Sequence, residues 1–132
     1  MSANLGFTVV LDGDFADVEA KTREALMAEG FGVLTEIDVR ATFKKKLDVD
    51  FRPYKILGAC NPPLAYDALT AASDIGLLLP CNVTVAQTDD GKIEVALIDP
   101  VVMLGVAQNP DVAPVAEEVQ ARMKRVLAAL QA

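Results

Sequence analysis

The sequence predicts an α+β fold, a two-layer sandwich with a mixed or mainly antiparallel sheet and helices packed on one face. Three observations predict it. Strand-like runs such as "GFTVVL" and "CNVTV" alternate with stretches of helical periodicity that open on capping residues. Asp89-Asp90-Gly91 joins two strands back to back, which requires at least one antiparallel pair. The 132 residues carry no internal linker, repeat or low-complexity stretch. One domain over residues 1–132, in the order β-α-β-(short α)-β-α-β-β-α, is the expectation.

The first strand is read in "LGFTVVLD", stopped by Asp12-Gly13. Asp14 caps the helix that follows, with Asp17 in its first turn, Val18, Thr22, Ala25 and Leu26 at helical spacing and Gly30 as the stop. In "GVLTEIDV", Val33, Thr35, Ile37 and Val39 alternate with Leu34, Glu36 and Asp38, the period of a half-buried strand. A two-turn helix over "RATFKKKLDVD" would lay Val39, Phe43 and Leu47 on the core and turn Lys44, Lys45 and Lys46 to water. "RPYKILGAC" is the third strand, with Pro53 near its start, where a missing donor does least harm. Asn61 then caps a helix with Pro62 in its first turn and a stripe of Leu64, Ala65, Ala68, Leu69 and Ala72, expected to run to about Ile75 and end at Gly76. "CNVTVAQT" and "KIEVALID" form the hairpin. Asp99-Pro100 opens a brief helical turn, and Val115, Val119, Val126 and Leu130 line one face of the last helix.

Composition excludes several chemistries. No histidine is present, which removes Ser-His and Cys-His nucleophiles, histidine bases and HExxH metal sites. The two serines, Ser2 and Ser73, offer no nucleophile elbow, and neither GxGxxG nor GxxxxGK[ST] occurs. Twelve basic residues against nineteen acidic ones give a charge of −7, and aromatics are 5% of the chain. Both oppose nucleic-acid binding. The amino-terminal stretch lacks a basic region and a long apolar core, and no apolar run approaches the ~20 residues of a membrane helix. A cytoplasmic protein with no membrane or nucleic-acid partner is expected, with its thiols free. Nothing here points to an enzyme.

Cys60 and Cys81 are the candidates for chemistry, each followed by asparagine. Cys60 precedes the capping Asn61, where helix N–H groups favour thiolate, although Pro62 and Pro63 remove two donors that an anion would use. A helix over residues 62–75 spans ~20 Å. The five residues to Pro80, if extended, return ~17 Å, so the two thiols can meet. The spacing is no CxxC, and zinc would need further ligands, such as two thiols from each subunit of a dimer. Against this stands the plainer reading of both cysteines as buried structural thiols. Other residues favour structural roles. Tyr54 and Lys55, beside Arg52, fall on opposite strand faces, Glu36 and Asp38 read as a solvated face, and Asp99 reads as a helix cap.

The stretches Tyr54-Lys55-Ile56-Leu57-Gly58-Ala59-Cys60-Asn61-Pro62 and Gly76-Leu77-Leu78-Leu79-Pro80-Cys81-Asn82-Val83, with "GFGVLTEIDVRATFKKKL" before them, resemble the domain-of-unknown-function 302 family. "VALIDPVVML" and the last helix fit as well, so the resemblance covers nearly the whole chain. It implies a compact α+β domain, often a homodimer, without an assigned activity or cofactor. It also places both Cys-Asn elements in a signature. The expectation is therefore a small dimeric binding or accessory module, with a small-molecule or metal site near Cys60, Asn61, Pro62, Cys81 and Asn82 and Cys60 and Cys81 as the metal ligands. A thiol redox protein, with Cys60 activated and Cys81 resolving, and a pure interaction domain are the alternatives.

Overall fold

A computed structural model describes residues 4–132; Ser2 lies outside the described residues. Five strands form one sheet, β1 (Gly6–Leu11), β2 (Gly32–Asp38), β3 (Tyr54–Cys60), β4 (Cys81–Gln87) and β5 (Ile93–Ile98), in the order β1-β5-β4-β3-β2. Every neighbouring pair is antiparallel. The helices are α1 (Phe15–Ala28), α2 (Val39–Leu47), α3 (Pro62–Ala71), α4 (Pro100–Gly105) and α5 (Ala113–Gln131). The predicted order and the two layers are both present.

Local chemistry sets the element ends. Asp14 accepts from the amides of Ala16 and Asp17, Asn61 from Leu64 and Asp99 from Val101. Gly30, at φ +84°, ends α1: its amide bonds Met27 and that of Phe31 bonds Leu26, the paired closure of a helix that stops on glycine. In the 88–92 hairpin Gly91 takes φ +82° while the Thr88 amide bonds the Lys92 carbonyl.

The main core lies between the sheet and the helices α1 and α5. Leu57, Val83, Val85, Val95 and Leu97 meet Leu26, Met123, Val126 and Leu130, all essentially without solvent contact. Thr22 is buried there too, and its hydroxyl is satisfied by the Val18 carbonyl at 2.7 Å. A second cluster, Ala68, Ile75, Leu104, Val112 and Ala116, closes one end of the molecule, and Met103 and Val115 pack against both.

Three expectations need correction. The third helix stops at Ala71, because Ala72 turns extended (φ −152°, ψ 111°) and a 3-10 helix, Ser73–Leu78, follows. Burial of Ile75 in the second cluster takes the chain off the helical path that Gly76 was expected to end. Helix α2 does not lay Val39, Phe43 and Leu47 on the core, for none of its residues is buried. It follows the edge strand β2, beyond the reach of the helical layer, and Phe43 instead packs edge-on against Phe51 at 5.1 Å. Finally, the alternation in β2 is broken. Val33 sits opposite Ala59 while Thr35 sits opposite Gly58, so Leu34 is a bulged residue. Directly opposed residues share a face, which places Val33 on the helix side and Thr35 and Ile37 on the bare side.

Candidate functional site

A cavity of about 280 Å³ opens where β3 ends and β4 begins. Strand ends supply Ala59, Cys60 and Cys81. Asn61 and the α3 face Leu64, Ala65, Ala68 and Leu69 form one wall. Phe31, after the glycine turn of α1, and Val115 and Val119 of α5 form another. Leu79, Pro80 and Leu104 close it from the end cluster, and the bulge brings Leu34 and Thr35 to its edge. Leu34 (68% exposed) and Leu69 (41%) are the exposed large apolar residues of the wall, and Thr35 beside Leu34 is exposed as well, so the mouth lies between β2 and α3.

The chain packs tightly around this end. An added Cβ on Gly58 would run into Thr35 Oγ1 and stand 2.7 Å from the Pro80 ring. Glycine at 58 is what lets the bulged strand and the Leu79–Pro80 segment close over β3.

Both cysteines line this cavity. Cys81 is the Cα partner of Ala59, so Cys60 lies one position out of register across the same strand pair. Both are free; Cys81 is buried and Cys60 half-buried. Burial pushes the Cys81 thiol up to about 11, with the neighbouring Cys60 adding to the rise. Burial raises Cys60 as well. Desolvation favours the neutral thiol, so at neutral pH both are protonated and act as apolar, polarizable wall groups.

Of the residues expected at a shared site, Cys60, Asn61 and Cys81 come together in the cavity wall, and Pro62 and Asn82 stand outside it. Pro62 is an exposed first-turn residue of α3. Asn82 follows Cys81 on a strand and so faces the opposite side of the sheet, where it borders a broader hollow with Thr8, Thr84, Tyr54 and Glu94. The remaining sequence candidates are engaged structurally. Lys55 pairs with Glu19 at 3.0 Å and Glu36 at 3.5 Å, which raises its pKa chiefly through the Glu19 hydrogen bond. Arg23 bridges the same two carboxylates. Arg52 holds Asp89 at 2.8 Å, and Asp38 caps α2 through the Ala41 amide. Among the described residues no three Cys, Asp or Glu side chains gather as a metal-binding group, so Cys60 and Cys81 are the soft ligands that one chain brings to this cavity.

Sequence reasoning missed Phe31, Leu34, Leu79, Leu104, Val115 and Val119 as wall residues. Their common signal is apolarity, which core residues share.

No helix among the described residues is long and apolar enough to cross a membrane. Comparison with curated proteins finds no match. Among solved structures, the chain is similar to an uncharacterised conserved DUF302 protein from Bacillus stearothermophilus at 29% identity. The likeness covers 98% of both chains, with a TM-score of 0.84. The model of the domain of unknown function DUF302 matches residues 7–130, so the chain belongs to that family.

Proposed function

We propose that this chain is a small cytoplasmic binding module, one domain over residues 1–132 that acts as a dimer, and that its site is the cavity walled by Cys60, Asn61 and Cys81. The observation that carries this reading is the cavity itself: a preformed concave space whose wall draws on β2, β3, β4, α3, α4 and α5. Ligand sites are typically concave, apolar and largely preformed. Two unpaired thiols fit a reducing compartment.

The redox alternative is weaker, because the nucleophilic form of a cysteine is the thiolate and burial disfavours it at both positions. A metal on Cys60 and Cys81 would have to remove both protons against that same burial. The interaction-domain reading draws on the helix-free face of the sheet, where Gly6, Thr8, Val10, Asn82, Thr35 and Ile37 are exposed. A second copy could cover that face, and the two readings are compatible.

Native mass spectrometry of the purified protein, followed by solvent extraction, tests the binding reading. A bound molecule that leaves on extraction is the expected result. A bare polypeptide mass, together with no uptake of any small molecule at the cavity, would count decisively against it.

A further inference from the structure

We infer that the cavity takes an uncharged, mainly aliphatic ligand of about nine non-hydrogen atoms, and that it discriminates against anions; this rests on the binding reading above and specifies its ligand. The volume sets the size. At about 30 Å³ per non-hydrogen atom, the share of a water molecule in the liquid, a cavity of about 280 Å³ holds roughly nine. A void of about 150 Å³ lined by Leu, Ile and Phe already admits benzene and excludes water.

The lining sets the chemistry. No charged side chain borders the cavity, and its polar wall groups are Thr35, Cys60, Asn61 and Cys81. The carboxamide of Asn61 has its Oδ1 engaged by the Leu64 amide, and its Nδ2 lies at the Gly30 turn, 2.8 Å from where a Cβ would stand; it brings no charge to the cavity. Arg122 reaches the same glycine turn, but it is held by Glu118 and by the Glu29 carbonyl, each at 2.9 Å. Thr35 turns its hydroxyl toward Gly58. An ionised ligand would enter an apolar space with no free counter-charge in a chain of net charge −7, and its lost hydration would go uncompensated. An aliphatic chain meets none of these obstacles, and Leu34 and Leu69 at the mouth offer it apolar contact on entry.

The test is a methyl-resolved NMR titration at pH 7.5 with 1-octanol, octanoate and Zn²⁺ as separate probes. Saturable shifts of the Leu64, Leu79 and Val115 methyls with 1-octanol are expected, with octanoate at least tenfold weaker and Zn²⁺ without effect on those methyls. Ala65→Leu fills the cavity from α3, and should abolish the octanol shifts while leaving the thermal midpoint unchanged or higher. Leu34→Glu, an exposed substitution at the mouth, should weaken octanol several-fold and guards against a folding defect in the first variant. Octanoate binding as tightly as octanol, or octanol binding unaltered in both variants, overturns the inference. If octanol leaves the cavity methyls unmoved but a charged molecule co-purifies and is displaced by Ala65→Leu, the ligand class is wrong and the binding module stands. If neither octanol nor any co-purifying molecule occupies the cavity, both fall.

Discussion

Gly58 shows how much a single hydrogen atom decides here. Gly58→Ala would drive a methyl into Thr35 Oγ1 and the Pro80 ring, and overpacking of this kind costs about 1–3 kcal/mol. A lower urea midpoint is expected, partly restored by adding Thr35→Ala; no recovery would mean that Thr35 is not the obstacle. The thiol of Cys81 makes a second prediction at this scale. Its folded pKa of about 11 lies above the ordinary thiol value of 9.0, so the folded chain holds this proton more tightly than the unfolded chain. The associated stability is complete below about pH 9 and declines as pH rises toward 11, by about 2–3 kcal/mol in total. Urea midpoints between pH 8 and 10.5 should fall more steeply in the wild type than in Cys81→Ala. Equal slopes would show that Cys81 is not desolvated. The caps at Asp14, Asn61 and Asp99 and the stop at Gly30 were legible in the sequence, because each depends on bonds within a few residues. The crowding at Gly58 was not, because its neighbours arrive from two distant segments.

Among the elements, the two that sequence periodicity described least well are β2 and α2, and both lie at the free edge of the sheet. Alternation assumes unbroken pairing, and a single bulged residue defeats it. Helical spacing in "VRATFKKKL" gives an apolar stripe, but a stripe is buried only if the fold provides a surface beneath it. What anchors this edge is the set Glu19, Arg23, Glu36 and Lys55, with Glu19 and Lys55 the most buried of the four, which ties α1 to β2 and β3. Removing Glu19 leaves Lys55 and Arg23 only the more exposed Glu36 as a shared partner. Glu19→Ala should cost about 1–2 kcal/mol, more than an exposed ion pair, as read from denaturant midpoints. A loss below 0.5 kcal/mol would place the pair in the surface class.

At the scale of the whole molecule, the fold class was readable, whereas the sequence only permitted Cys60 and Cys81 to approach one another and did not require it. Strand alternation and the 89–91 turn fix the sheet, and its register sets Cys81 opposite Ala59, the neighbour of Cys60. The cavity was not readable, since a void is a mismatch of distances between elements rather than a property of any of them. The helix-free face spans five strands at about 4.8 Å spacing and about six residues of length, or roughly 480 Å². A standard interface takes about 800 Å² from each partner, so a dimer formed on this face alone should be weak. Sizing is expected to show a dimer at tens of micromolar that dissociates on dilution, and Ala96→Lys, midway along β5 on this face, should give a stably folded monomer. A monomer at every concentration would remove the dimer. The division of the apolar interior into two clusters, joined through Met103 and Val115, has a dynamic consequence. Amide protons in α3 and the 3-10 segment can exchange with solvent through opening of the end cluster alone, whereas those of the central strand β4 must await global unfolding. The cavity straddles that seam, so an occupant would register as slowed deuterium uptake confined to residues 62–79, with β4 unchanged.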